Sequence, residues 1–454
     1  MWREPTVGRR LAMSLATPDK IRTLQHKLHV KAKNEPSYRF YLLYDKVYRR
    51  DILEHAYRLA KANQGAAGVD GMTFDDIEES GRNQWLEALA KDVRDKTYRP
   101  QAVRRVMIPK PGGGERPLGI PTIRDRVVQT AAKLVLEPIF EADFSDAAFG
   151  YRPGRSAIDA VGQVHEAIRD GYTNVVDADL SKYFDTIPHK ELMRSLARRV
   201  GDKQMLRLVR RWLKVPVEER DERGNRRMSG GRKSKMGTPQ GGVISPLLAN
   251  LYMNRFLRCW EQQDMGRRLR AKVINYADDF VIVSRGRAAE ALAWTRRVMA
   301  GLKLTLNESK TCLKDVGTES FDFLGYTFGK VFNVYERKSY LAACPSKKSV
   351  RRLKQKLHAV LEPWNTGPWE EVAATVNRML RGWSGYFRYG TLKRAYRAVD
   401  NHVFDRVRHC LRRRHKVKSS GSTLLPSGKS LGAWGIVRLR EIFVGLRPHS
   451  CALG

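Results

Sequence analysis

Apolar positions in this chain repeat with two periods, and the order in which those periods alternate sets the expected architecture. Helical spacing starts weakly at Ile21, Leu24 and Leu28. It strengthens over residues 40–62, where Leu43, Val47, Ile52, Ala56 and Leu59 line one side of a single helix and basic residues the other. A glycine-punctuated loop over 63–74 follows. Val103, Val106 and Ile108 suggest a strand, Pro111-Gly112-Gly113-Gly114 a tight turn, and residues 116–120 a second strand. Ala132, Val135, Leu136 and Ile139 mark a helix over 129–140 that ends around Pro138, and Ala157, Val161, Val164 and Ile168 mark another. Short β-branched runs at Val175-Val176, Val273-Ile274 and Phe280-Val281-Ile282-Val283 read as strands. Between them lie one helix over 190–213, a charged glycine-rich hairpin or loop over 215–235, and a helix from Ser245 through Leu248, Leu251, Phe256 and Leu257. Beyond a helix over 288–302, three amphipathic helices carry Val350, Leu353 and Leu357, then Val372, Val376 and Leu380, then Val403, Val407 and Leu411, and together make a small bundle. The tail after Ser419 shows one apolar stretch among glycines and serines and no readable role. Strands set among helices in this order predict an α+β fold.

Chemistry enters at the strand ends. Tyr276-Ala277-Asp278-Asp279 places two adjacent carboxylates at the turn of an apolar hairpin. Docking such charge inside a protein is costly, and a divalent cation reverses the cost. A bare Asp-Asp turn is more often simply solvated. The odds change because Asp177 and Asp179 end the Val175-Val176 strand two residues apart, hence on one face. Acids on that strand and on the hairpin supply what two Mg²⁺ ions need. In phosphoryl transfer such ions, about 3.5–4 Å apart, activate the attacking oxygen and stabilise the leaving one. Mg²⁺ suits the purpose because it takes few carboxylates and draws its other ligands from phosphates and water. Lys110 and Arg116 flank the tip of the 103–120 hairpin, where a point charge and a bidentate fork could fold over a triphosphate.

Tyr276-Ala277-Asp278-Asp279 in a hairpin, with Asp179 followed five residues later by Phe184, resembles the palm of a reverse transcriptase. The run Gly237-Thr238-Pro239-Gln240-Gly241-Gly242-Val243-Ile244-Ser245-Pro246 is similar to the segment before that hairpin in group II intron-encoded reverse transcriptases. The resemblance extends along nearly the whole chain. It implies a right-hand polymerase architecture: helical and β-hairpin fingers with an N-terminal extension over 1–172, an antiparallel-sheet palm over 173–345, a three-helix thumb or maturase domain over 346–418, and a tail over 419–454 as a possible DNA-binding remnant. By the same resemblance Asp179, Asp278 and Asp279 are catalytic and hold two Mg²⁺ ions, with Mn²⁺ an expected substitute. The Leu180 carbonyl is a further contact, and Asp177 is a supporting acid. Lys110, Arg116, Phe184 and Gln240 bind the incoming nucleotide. A ring at 184 beneath the sugar would leave no room for a 2′-hydroxyl. Lys310 is a candidate proton donor to pyrophosphate, although an ordinary surface lysine is the commoner case. Arg152, Arg155, Gly325, Arg381 and Arg388 are expected at the template, the primer or the intron RNA, since aromatics interleaved with arginines suit stacking on bases and contact with phosphates.

Charge supports a polyanion partner. Lys and Arg number 85 against 48 Asp and Glu, so 85 − 48 = +37. Residues 347–418 alone hold 19 basic and 5 acidic side chains, 19 − 5 = +14. The expected partners are group II intron RNA, an RNA template with a DNA primer, deoxynucleoside triphosphates and target DNA, with no membrane, because no stretch approaches the ~18 apolar residues of a spanning helix. The five cysteines form no Cys-x-x-Cys pair, so a disulfide framework, a zinc ribbon and the family's cysteine-paired endonuclease are not expected. A reducing, cytoplasmic location follows as the expectation. Three rivals share these features: an RNA-binding maturase with a vestigial polymerase, an RNA-dependent RNA polymerase, and a host-adapted defence or repair reverse transcriptase.

Overall fold

The computed structural model describes residues 15–109, 114–220, 225–333, 336–362, 364–365, 367–414 and 431–444. Its strands are β1 (Val103–Pro109), β2 (Glu115–Ile120), β3 (Asn174–Asp179), β4 (Pro216–Arg220), β5 (Arg226–Gly230), β6 (Ala271–Tyr276), β7 (Asp279–Ser284), β8 (Cys312–Asp315), β9 (Phe321–Phe323), β10 (Tyr326–Asn333) and β11 (Lys338–Pro345). They form three sheets, ordered β2-β1-β4-β5, β6-β7-β3-β8 and β11-β10-β9, and the rest of the described chain is mostly helical, as an α+β fold requires. No helix among the described residues is long and apolar enough to cross a membrane.

The central sheet, β6-β7-β3-β8, is antiparallel throughout. Alternation sorts its residues between two cores. Val176, Ala178, Val273, Phe280 and Ile282 pack into the larger core, which runs from Ile21 to Leu306. Val175, Ile274, Val281 and Val283 face a second core with Phe149, Tyr326, Phe328 and Phe387. On that second face the side chains change from apolar to acidic toward one end of the sheet, from Val175 to Asp177 and Asp179 and from Val281 to Asp279. One end of the face is therefore core and the other is a charged cleft.

Three long-range contacts redraw elements that local spacing predicts. The single helix expected over 40–62 is two helices, Tyr44–Val47 and Arg50–Ala62, preceded by a strap in which Phe40 bridges Val200. The same strap breaks the helix expected over 190–213 into His189–Ala197 and Lys203–Leu213. Phe40 takes the Gly201 amide, while Asp202 caps both Gln204 and Met205 behind it and Leu43 and Tyr44 in front. The helix expected to end at Pro138 runs from Ile123 to Glu141. Proline there leaves the Leu134 carbonyl without its helical donor. Gln25 Nε2 fills the gap at 3.0 Å, from the helix Asp19–Asn34.

The C-terminal helices Lys347–Val360, Trp369–Tyr386 and Lys393–Arg414 pack around Leu353, Leu357, Val376, Leu380, Val399 and Val403. Residues 431–444, within the unreadable tail, add a fourth layer. Leu431, Ile436 and Leu439 enter the same core, Asn377 Nδ2 donates to the Gly435 carbonyl at 2.7 Å, and the buried Asp400 accepts from the Leu439 amide and Arg440 Nε.

Candidate active site

The expected hairpin forms, and it closes on two residues. Tyr276 pairs with Asp279 across the ladder, leaving Ala277 and Asp278 as the turn. Ala277 has φ +60°, the sign that the first central position of a type II′ turn requires and that glycine usually supplies. A non-glycine residue here is held by its surroundings. Asn275, buried, donates its side-chain amide to the Ala277 carbonyl at 2.9 Å. Behind the turn lies Gly150, where a Cβ would come within 2.4 Å of the Ala277 nitrogen. The neighbouring chain is stitched to the hairpin by Phe149 N to Asn275 O and Asn275 N to Ala147 O, both 2.8 Å. Asn250 Nδ2 holds the Gly150 carbonyl at 2.7 Å.

β3 pairs with β7 in register Asp179 to Asp279, so two of the three expected catalytic acids stand directly opposite each other and the third is the adjacent turn residue. Directly opposed strand residues have Cβ atoms ~4.5–5.5 Å apart. Asp279 is pushed up to about 7, by desolvation first and then by Asp278, Asp179 and Asp177. Its side chain is exposed to solvent, but the protein crowded around it displaces much of its hydration. Asp278 is raised by burial and by Asp179, and Asp177 is raised to about 6, chiefly by burial. Burial first, and mutual repulsion second, mark a crowd of acids that nearby lysines neutralise only in part.

The cation nearest to hand is Lys310, whose Nζ meets Asp179 Oδ2 at 3.0 Å. Asn307 Nδ2 shares that oxygen at 3.1 Å. Lys310 is therefore neither an isolated surface lysine nor free in this state. Hydrogen bonds from Asn307 N to Asp179 O and from Ser181 N to Thr305 O flank Leu180, which bridges Leu306. Ladder alternation then turns the Leu180 carbonyl the other way, toward the side of β7. Among the described residues no three His, Cys, Asp or Glu side chains are already gathered closely enough to hold a metal ion. The backbone brings the acids together, and their side chains have still to converge. The donor set is all hard oxygen with excess negative charge, which fits Mg²⁺ or Mn²⁺.

Phe184 lies half-buried on the short helix Tyr183–Thr186, edge-on to Tyr151 at 6.4 Å between ring centres. Gln240 sits in a loop held from several sides: its carbonyl accepts from Gly119 N of β2 at 2.6 Å, the Pro239 carbonyl accepts from Ser245 Oγ, and the Phe184 carbonyl accepts from Thr238 N at 2.7 Å. Gly241 packs so closely on β2 that a Cβ would meet the Gly119 oxygen at 2.1 Å. Phe184 and Gln240 thus belong to one connected framework. Arg116 is exposed on β2, whereas Lys110 lies outside the described residues. Arg381 and Arg388 are exposed at the second C-terminal helix.

Arg152 is a correction. Its side chain is 5% exposed, paired with Glu141 Oε2 at 3.0 Å, and it donates to the Ser145 and Ala148 carbonyls at 2.7 and 2.8 Å. It braces the segment that backs the Ala277-Asp278 turn and has no guanidinium face to offer RNA. Arg155 is partly exposed, pinned to Asp146 and lying over the Phe149 ring. Gly325 makes a tight turn against the C-terminal bundle. Asn275 and Gly150 were not legible as site residues. The only local trace was Gly150 within an aromatic and arginine-rich run.

Residues 108–328 match the family described as reverse transcriptase (RNA-dependent DNA polymerase), and residues 350–425 match the group II intron, maturase-specific domain. The chain is 32% identical to protein YkfC of Escherichia coli over 366 residues, covering 72% of this chain and 93% of YkfC. It is 34% identical over 216 residues to the group II intron-encoded protein LtrA of Lactococcus lactis, covering 47% of this chain and 34% of LtrA. A putative COX1/OXI3 intron 2 protein of Saccharomyces cerevisiae is 32% identical over 203 residues, 44% of this chain and 22% of that one. With its reverse transcriptase domain followed by a maturase-specific domain, and Asp179 of β3 set opposite the Asp278–Asp279 hairpin tip, the chain belongs to the group II intron reverse transcriptase and maturase family.

Proposed function

We propose that the chain is an RNA-directed DNA polymerase that also binds intron RNA and assists splicing and mobility. In this reading the β1–β2 hairpin and the helices before it act as fingers, the central sheet as palm and the C-terminal bundle as thumb, with residues 431–444 as part of that thumb. The observation that carries the reading is the register of Asp179 opposite Asp279, with Asp278 at the tip of a turn braced from behind. Asp179, Asp278 and Asp279, with the Leu180 carbonyl, would hold two Mg²⁺ ions. When bound, those ions supply charge neutralisation and a more reactive attacking oxygen for in-line displacement at a nucleotide's α-phosphate.

The chain's own residues do the positioning. Phe184 presents its ring edge where the sugar of an incoming nucleotide would rest, and excludes a 2′-hydroxyl by bulk. Gln240 reaches the base or sugar edge from a loop whose backbone is fixed to β2. Arg116, with Lys110, grips the triphosphate. Lys310 stays near Asp179 and, once released from it, is placed to give a proton to departing pyrophosphate. The basic bundle, net +14 over 347–418, holds duplex and intron RNA.

Primer extension on an RNA template tests the reading. Asp278→Ala is expected to lower cDNA synthesis by about 10³-fold or more, the scale of several kcal/mol of lost charge stabilisation. Intron RNA affinity, measured beside it, is expected to stay nearly unchanged. Undiminished extension by the variant defeats the site assignment. RNA binding without extension by the unaltered protein leaves a maturase with a vestigial polymerase.

A further inference from the structure

His189 lies five residues beyond Phe184 and bonds to the segment that leads into Gln240. It follows Pro188, opens the helix His189–Ala197, and is 7% exposed. Its Nε2 faces the Gly237 carbonyl at 2.7 Å. A carbonyl only accepts, so the imidazole donates and its proton sits on Nε2. The His189 backbone also donates, to the Lys235 carbonyl at 2.9 Å, and Pro188 bridges Met236. Two further bonds continue this ladder: Gly237 N to Ile187 O at 2.9 Å and Thr238 N to Phe184 O at 2.7 Å. The segment bearing Phe184 and the loop leading into Gln240 are thus zipped together over residues 184–189 and 235–238.

Gly237 is where the zipper turns. Its φ is +94°, and a Cβ there would stand 3.2 Å from the Asp185 oxygen. A glycine in that conformation gives little resistance to rotation of its peptide plane. That plane is held at two edges, by the His189 side chain on its carbonyl and by the Phe184 carbonyl on the Thr238 amide. The next residues carry the side chain expected at the nucleotide's edge, and the other end of the ladder carries the ring expected under its sugar. Releasing the carbonyl leaves only backbone bonds to hold one relative to the other and loosens the plane between them.

We propose that His189 is a positioning residue that locks the Gly237 peptide, and through it sets the spacing between Phe184 and Gln240 on which selection of the incoming nucleotide depends. The proposal rests on the reading of the chain as a DNA-synthesising enzyme. It requires His189 to touch neither nucleotide nor metal.

The test compares His189→Ala and His189→Gln with the unaltered chain. Glutamine keeps an N–H able to reach the same carbonyl. Single-nucleotide incorporation is measured with deoxy- and ribonucleoside triphosphates, together with hydrogen exchange over residues 235–242. His189→Ala is expected to raise KM for the deoxynucleotide about tenfold, the worth of one buried hydrogen bond, with a smaller change in kcat. It should also narrow the deoxy-over-ribo preference and speed exchange at the Gly237 and Thr238 amides. His189→Gln should recover most of each change. Unaltered KM, preference and exchange in His189→Ala overturn the proposal. So does an equal loss in both variants accompanied by a lowered Tm, because a merely structural histidine would behave that way. If the unaltered chain incorporates no nucleotide, the enzymatic reading fails separately. The exchange comparison still decides whether His189 holds the loop.

Discussion

Two hairpins in this molecule close on two-residue turns and use them in opposite ways. At 276–279 the turn ends in carboxylates that face a cleft. At 323–326 the turn is Leu324-Gly325, both with positive φ, between Phe323 and Tyr326. Its carbonyls are spoken for: Gly325 accepts from Ser346 N at 2.9 Å and Ser349 Oγ at 3.0 Å, and Leu324 accepts from Tyr386 Oη at 2.9 Å. The second turn is a joint whose carbonyls are taken up at the helical bundle. In the first the backbone is equally well held, by Asn275 and against Gly150, while among the described residues no ion pair reaches Asp278 or Asp279 and Lys310 pairs with Asp179 across the ladder. A rigid frame around under-neutralised charge is what a metal-dependent centre needs, and a rigid frame with no charge is what a domain junction needs.

Alanine at the two braces should separate these roles. Gly150→Ala drives a Cβ toward the Ala277 nitrogen, and overpacking of that kind costs ~1–3 kcal/mol. Because the acids proposed to be catalytic sit on the displaced turn, primer extension should fall by about 10²-fold, the usual consequence of misplacing reacting groups by ~1 Å. Gly325→Ala meets φ +81° and the Phe387 ring at 3.3 Å, costing ~1–2 kcal/mol. Its effect should appear as a lower melting temperature, with a loss of extension far smaller than that of Gly150→Ala. The reverse ranking would dissolve the distinction between the two turns.

The smallest expected effect is on pH. Asp279 stands above the ordinary carboxylate range, at about 7, so the folded chain binds its proton more tightly than the unfolded chain does. Stability from this group is therefore present at low pH and lost as pH rises from about 4 through about 7. Metal-free thermal melts should fall modestly between pH 5 and pH 8. Added Mg²⁺ should raise the melting temperature more at pH 8 than at pH 5, since bound metal needs ionised carboxylates. Asp279→Asn should flatten both trends. A melting temperature that rises over this interval without metal would contradict the crowding of acids at the hairpin.

The parts of this structure that could be read from sequence are those fixed by near neighbours. β-branched runs on either side of Ala277-Asp278 dictate a hairpin, the stripe Ala157, Val161, Val164 and Ile168 dictates the helix Ala157–Arg169, and the apolar stripes from Leu353 to Leu411 dictate a bundle. What escaped depends on residues far apart along the chain. Gln25 takes the Leu134 carbonyl that Pro138 leaves unpaired, from 109 residues away, and Arg199 and Asp202 tie the Phe40 strap across about 160. Glu141 draws Arg152 inward although its surrounding sequence looks like an RNA-contacting loop. Asn377 and Asp400 dock residues 431–444 where local spacing predicted nothing. In the site itself the acids were legible by type and period. Their brace was not, because a glycine pressed against a backbone 127 residues later leaves no pattern of its own.

The central claim is that Asp179 and the Asp278–Asp279 turn converge on divalent ions to make DNA on an RNA template. Anomalous diffraction from the protein with Mn²⁺, a template–primer and an unreactive deoxynucleotide tests it most directly. Metal peaks should lie within coordination distance of Asp179 and Asp278 and against the nucleotide's phosphates, with Lys310 displaced from Asp179. A nucleotide bound elsewhere, or metal that leaves Asp179 and Asp278 untouched, would contradict it.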